Sequence, residues 1–214
     1  MSGPAAPRFI TLEGGEGAGK STQATLLAEA LAARGIPVLR TREPGGSPGA
    51  ERLRALLLSG EVAFAARAET LLHFAARADH LARTIQPALA AGMWVVCDRF
   101  YDSTMAYQGY GQGADRGFIQ AQINLLDRHP DLTLVLEADP AIAATRLRAR
   151  GAAFDRYERE DEAFHSRVTR GFHAIARANP ERCRLIAASG SVAEVHAAIL
   201  DTVMSDAGSR PASP

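Results

Sequence analysis

Three clusters in this 214-residue chain have the residue types and spacing to handle phosphate. The run Gly14-Gly15-Glu16-Gly17-Ala18-Gly19-Lys20-Ser21, followed by Thr22, is a full G-x-x-x-x-G-K-S. Glycines at this spacing let consecutive backbone N–H groups point into one concavity, and the helix that follows adds its positive dipole end. Lys20 then reaches the β- and γ-phosphates of a nucleoside triphosphate and Ser21 ligates Mg²⁺. The second cluster is Asp98-Arg99-Phe100, directly after the apolar run Trp94-Val95-Val96-Cys97. Ligands of parallel sheets bind beyond the carboxyl ends of the strands, which sets this pair beside the phosphate loop. Asp98 is a candidate for holding Mg²⁺ or its waters, and Arg99 for gripping a second phosphate in fork geometry. A structural Asp–Arg pair capping the strand is the plainer alternative.

A third group, Arg146, Arg148, Arg150, Arg156 and Arg159, surrounds Gly151 and encloses Asp155 and Glu158. Arg146 and Arg150 are i,i+4 on one helical face, so both guanidinium groups are expected to turn toward phosphates when the segment closes. Pairing with neighbouring acids on a solvated helix is the alternative, above all for Arg148 and Arg159.

Such residues need a frame to position them. Short apolar runs at Phe9–Leu12, Val38–Thr41, Trp94–Cys97, Leu132–Leu136 and Arg184–Ala187 alternate with helical stretches. The alternation predicts an α/β fold, a parallel sheet of about five strands with helices on both faces. After Ser21, residues Leu26, Leu27, Ala30 and Leu31 fall at helical spacing and Gly35 with Pro37 ends the run. Asp139-Pro140 joins an N-cap acid to proline at the first helical position, predicting a helix through to Gly151. Segments 44–60 and 150–162, richest in turn residues and charge, are expected to be mobile flaps on one domain spanning 1–204, with a lid over about 148–161. The Ser/Ala/Gly/Pro-rich stretch 205–214 is expected to be a disordered tail.

Composition removes several classes of function. Lys and Arg total 24 against 24 Asp and Glu, so net charge offers no basis for tight binding along nucleic acid or an anionic membrane. Two cysteines, Cys97 and Cys183, are too few for a disulfide framework and lack metal-binding spacing, which favours a reducing compartment. The first residues lack the apolar stretch of a secretory signal, and a cytoplasmic protein is expected. Thr84–Cys97, the longest uncharged stretch near the middle, is broken by Pro87 and Gly92 and falls short of the roughly 20 apolar residues of a membrane span. No N-K-x-D exists to read guanine, since Asn124 precedes Leu125 and Asn179 precedes Pro180. With GTPases, motors and translocases disfavoured, a small-molecule kinase remains.

Further motifs follow in order: Glu13 to Thr22, Thr41-Arg42-Glu43-Pro44-Gly45-Gly46, Phe74-Ala75-Ala76-Arg77, Cys97-Asp98-Arg99-Phe100, Asp102-Ser103-Thr104, Ala106-Tyr107-Gln108-Gly109 and Asp155-Arg156-Tyr157-Glu158. In these the chain resembles the bacterial thymidylate kinases, P-loop nucleoside-monophosphate kinases that pass the γ-phosphoryl group of ATP to dTMP, giving dTDP and ADP for dTTP synthesis. The resemblance runs from Phe9 to about Arg177, and the Asp-Ser-Thr-x-Ala-Tyr-Gln-Gly run is its most specific part.

The resemblance implies ATP and Mg²⁺ on the phosphate loop and dTMP beyond Asp98. Glu16 is then the acid that binds the acceptor's 3′-hydroxyl, and Arg99 holds its 5′-phosphate. Arg77 donates to thymine, Thr104 sits at the ring edge with Gln108 beside it, and Tyr107 packs against the deoxyribose. Pro44 and Leu58 form the apolar wall near the 5-methyl group, and Ser103, Asp155 and Glu158 complete the surroundings. Lys20, Arg99 and a lid arginine, Arg150 or Arg146, carry the charge of transfer. One position departs from the pattern: the stacking aromatic four residues before the arginine is here His73, with Phe74 next to it. Either His73 substitutes, as a planar ring able to change charge near pH 6–7, or the helix presents Phe74. Family members are commonly homodimers, and segment 62–92 is expected to serve as interface or as core. A kinase for another (deoxy)nucleoside monophosphate and a non-catalytic regulatory ATP-binding protein stand as the other readings.

Overall fold

Five runs of apolar and β-branched residues become the strands β1 (Phe9–Gly14), β2 (Val38–Arg42), β3 (Trp94–Asp98), β4 (Leu132–Glu137) and β5 (Cys183–Ala187) of a computed structural model describing residues 8–151 and 156–209. All pair in parallel in the order β2-β3-β1-β4-β5, the five-stranded α/β sheet that the sequence predicts. Most strands run one or two residues further at the carboxyl end than their apolar runs suggest, so Gly14, Arg42 and Asp98 belong to the sheet itself.

The strands alternate between two apolar cores, as side chains of period two must when both faces are covered. Ile10, Leu12, Val96 and Leu134 pack on one face with Leu27 and Ile199. Phe9, Val95, Cys97 and Val135 pack on the other with Phe100, Phe164 and Phe172. Helices α1 (Lys20–Ala32), α2 (Pro48–Ser59), α3 (Ala66–His80), α4 (Gln86–Ala90), α5 (Tyr101–Thr104), α6 (Arg116–Asn124), α7 (Pro140–Ala149), α8 (Glu162–Ala178) and α9 (Val192–Ser209) connect and flank them. A π-helical turn, Leu81–Ile85, joins α3 to α4, and a second, Met105–Gly111, extends α5 and carries Tyr107 and Gln108. Asp139 caps α7 as expected, its Oδ1 accepting from Ala141 N at 2.8 Å.

Two segments differ from expectation. Most of 44–60 is not a flap but α2, started by Ser47, whose Oγ accepts from Ala50 N at 3.4 Å, and by Pro48 in the first turn, and closed by left-handed Gly60. Dense turn residues at its two ends hid a helix that buries Ala50 and Leu57. The tail departs as well, because α9 continues through Ser209. Val203 and Asp206 are buried there, and Asp206 pairs with Arg8. Residues 210–214 lie outside the described residues, as do 152–155 within the expected lid. Segment 62–92 contributes His73, Phe74, Arg77 and Ile85 to the interior while leaving Val62 and Leu71 exposed. Among the described residues no helix is long and apolar enough to cross a membrane.

Candidate active site

The carboxyl ends of β1, β2 and β3 open into a cleft of about 510 Å³. One end is bounded by the loop after β1, which only glycine can build at its closest approaches. A Cβ on Gly14 (φ 134°) would lie 2.3 Å from Leu136 O, and one on Gly17 (φ 72°) 2.3 Å from Ala143 O. Lys20 is buried, with Nζ donating to Gly15 O at 2.6 Å. Burial and the nearby Arg99 draw its ammonium down to about 8, against the pull of Glu16 and Asp98. Ser21 Oγ donates to Asp98 Oδ2, while Asp98 Oδ1 is buried and has no hydrogen-bond partner. A bare carboxylate oxygen beside a hydroxyl suits Mg²⁺, which takes one or two protein oxygens and fills its shell from water and phosphate.

Arg99 stands at the middle of the cleft. Its φ of 70° makes it the one non-glycine residue with positive φ among the described residues, a conformation that clusters at functional sites. Its Nη2 donates to Glu16 Oε1 at 2.5 Å and to Tyr107 Oη at 3.2 Å, and its Nη1 to Ser103 Oγ at 3.1 Å. Tyr107 Oη also donates to Glu16 at 2.7 Å. Burial alone would raise the Glu16 carboxyl, but Arg99, Lys20 and the Tyr107 hydroxyl together hold it at about 2. Glu16 is therefore an ionised acceptor at any physiological pH.

At the far end Arg77 is 2% exposed. Nε donates to Glu43 Oε2 at 2.8 Å and Nη2 to Thr104 Oγ1 at 3.2 Å, which leaves Nη1 as a buried donor without a partner. Glu43 also meets His80 Nδ1 at 3.1 Å. Pro44 and Leu58 face the same recess. His73 lines it, whereas Phe74 is turned into the core beneath the Arg77 guanidinium, 4.9 Å from its ring. Burial and the charge of Arg77 push the His73 imidazole down to about 3, so it stays neutral instead of titrating near pH 6–7. Tyr157 Oη donates to Glu69 at 2.9 Å and takes Gln108 Nε2 and His73 Nε2 at 3.0 Å each, which assigns His73 the Nε2–H tautomer.

Arg146 and Arg150 do not turn together as expected. Arg146 donates to Ala188 O at 2.8 Å and Gly190 O at 2.9 Å, carbonyls that β5 leaves open at its carboxyl end, and it lies over the loop beside Gly19. Arg150 instead pairs with Glu158 at 2.7 Å. Both line the cleft, Thr22 is exposed at its edge, and Asp155 lies outside the described residues. Sequence reasoning assigned no role to Glu13, Glu43, Glu69 or His80, all buried here. Glu13 follows the β1 run directly and Glu43 follows the β2 run after Arg42, which was the one available signal for them, whereas Glu69 and His80 lie among mixed polar and apolar neighbours that give none.

A family model described as thymidylate kinase matches residues 12–199. A thymidylate kinase of Gluconobacter oxydans is 58% identical over 199 residues, covering 91% of this chain and 93% of the relative. One from Rhizorhabdus wittichii is 54% identical over 200 residues, covering 92% and 96%. The crystal structure of thymidylate kinase from Ehrlichia chaffeensis superposes with a TM-score of 0.77 at 35% identity, over 92% of this chain and 99% of that one.

Proposed function

The chain belongs to the thymidylate kinase family, and from that premise we propose how its side chains divide the work. The reaction is ATP-dependent phosphorylation of dTMP to dTDP. The acceptor phosphate is already an anion, so no general base is needed, and catalysis consists of positioning and charge stabilisation. Lys20 faces the β- and γ-phosphates. Ser21 and Asp98 are the proposed Mg²⁺ ligands, and the chemistry this ion supplies when bound is neutralisation of charge on the transferring phosphates. Arg146, with Val192 and Val195 nearby on the cleft wall, is assigned to the donor's base side, and Arg150 to transfer.

Arg99 is proposed to hold the acceptor's 5′-phosphate. Glu16, acceptor-only when ionised, takes a hydrogen bond from the 3′-hydroxyl, and the Tyr107 ring packs on the sugar. Arg77 Nη1 and Thr104 Oγ1 read the thymine edge, neutral His73 lies at its face, and Pro44 with Leu58 surrounds the methyl group. Gln108, Ser103 and Glu158 support these contacts. We also propose a single domain with a lid near 148–161, a reducing cytoplasmic setting suited to two buried free cysteines, and a homodimer using the exposed Val62 and Leu71.

One observation carries the reading: a single guanidinium, Arg99, bonds both an acid of the phosphate loop and the tyrosine of the recess. A regulatory nucleotide-binding protein has no use for that junction or for the unpartnered Arg77 Nη1. The test is a coupled ADP-release assay with ATP and Mg²⁺ over a panel of monophosphates, with Lys20→Met as control. Turnover preferring dTMP, lost in the control, is expected; preference for AMP or GMP overturns the acceptor assignment.

A further inference from the structure

Glu13 has no exposed surface and takes no part in the contacts above. It closes on the turn that follows β3: Oε1 accepts from Phe100 N at 2.7 Å, and Oε2 meets Ser103 Oγ at 2.5 Å. Ser103 Oγ in turn accepts from Arg99 Nη1. On the other side of the turn Arg99 N donates to Leu12 O at 2.9 Å, so β1 grips the peptide groups before and after a residue whose φ is left-handed. A backbone in that region persists only when its surroundings over-determine it.

We propose that Glu13 is a positioning residue for the acceptor phosphate, setting the Arg99 turn through Phe100 N and aiming the guanidinium through Ser103 without touching substrate. The proposal rests on reading Arg99 as the arginine of the 5′-phosphate. A buried acid is a weak device for stability alone, because desolvation works against it. Burial, with Asp102 adding to it, pushes the Glu13 carboxyl up to about 8, while Ser103, Arg99 and Phe100 pull it back. The contact with Ser103 survives either protonation state, since the proton between the two oxygens can belong to either. An amide in its place brings two protons against one available acceptor, Ser103 Oγ.

Dissociation constants for dTMP and for thymidine, which lacks the phosphate, separate this role from a general structural one. They are measured calorimetrically in the wild type, Glu13→Gln, Arg99→Ala and the double variant. Arg99→Ala should bring dTMP affinity close to that of thymidine. Glu13→Gln should weaken dTMP about tenfold, the loss expected when one hydrogen bond to a charged group is misaligned, and leave thymidine unchanged. Added to Arg99→Ala it should weaken nothing further. Equal weakening of both ligands, unchanged dTMP affinity in Glu13→Gln, or an undiminished effect in the Arg99→Ala background overturns the proposal. If Arg99→Ala leaves the preference for dTMP intact, the phosphate reading itself fails, and the Glu13 role with it. Should Glu13→Gln not fold by circular dichroism, Ser103→Ala carries the same comparison, with a smaller loss confined to dTMP in support and an equal or absent loss against.

Discussion

Arg77→Met separates base recognition from stability. In the native site one guanidinium serves Glu43 and Thr104, and its unpartnered Nη1 is the group proposed to meet the thymine edge. Removing it deletes a charge-assisted hydrogen bond to the base, about 1.5–3 kcal/mol, or about 10–150-fold in dTMP affinity. It also strips Glu43 of its guanidinium, and breaking a buried pair costs about 3–5 kcal/mol. The lower end applies because His80 Nδ1 still lies 3.1 Å from Glu43 Oε1, and methionine keeps part of the packing between Phe74 and Phe100. Adding Glu43→Gln removes the stranded charge, so the double variant should regain most of the stability and none of the affinity. Urea unfolding reads the first quantity and calorimetric dTMP titration the second. Near-native dTMP affinity in Arg77→Met, or recovery of affinity together with stability in the double variant, would refute the assignment.

Tyr107→Ala should lower the ratio of kcat/KM for dTMP to that for ribothymidine monophosphate by the equivalent of about 1–3 kcal/mol, because the ring proposed to crowd a 2′-hydroxyl is gone. Tyr107→Phe should keep most of that ratio, since Tyr157 and Phe164 hold the ring from 5.5 and 6.0 Å. Arg150→Ala should lower kcat by about 10³-fold or more with little change in dTMP binding, whereas Arg146→Ala, tied to the carbonyls of Ala188 and Gly190, should chiefly raise the KM for ATP. Glu16, held at about 2 against an ordinary 4.5, adds stability that is present in full above 4.5 and lost as pH falls through 2. Glu16→Gln should therefore flatten the acid limb of unfolding free energy against pH by up to about 3 kcal/mol, read by urea unfolding between pH 6 and 2.

What was legible in the sequence was local. The glycine-rich loop and Asp98-Arg99 could be placed at the carboxyl ends of β1 and β3 because they follow those apolar runs directly, and the central strands β1, β3 and β4 could be read because both their faces are buried and their runs are mostly apolar. The α2 helix was lost to its own ends, where Ser47, Pro48 and Gly60 read as loop although each is also a helix boundary residue. Side-chain direction was not legible. Arg146 follows carbonyls of Ala188 and Gly190, more than forty residues away, and not its helical neighbour Arg150. The neutral state of His73 depends on Tyr157 and Arg77 closing over it, and the choice of His73 over Phe74 depends on which of two adjacent positions faces the sheet. The buried acids Glu13, Glu43 and Glu69 are the clearest case: each is explained by partners that only the fold brings near, as Glu69 is by Tyr157 at a separation of 88 residues.

One cleft is proposed to carry a phosphoryl group from ATP specifically to dTMP. The most direct measurement supplies γ-labelled ATP and Mg²⁺ to an equimolar mixture of dTMP, dUMP, dCMP, AMP and GMP and follows the label into products. Label predominantly in dTDP, with none transferred by Lys20→Met, is predicted. Label spread evenly over the diphosphates, or appearing first in ADP formed from AMP or in GDP, would contradict the account.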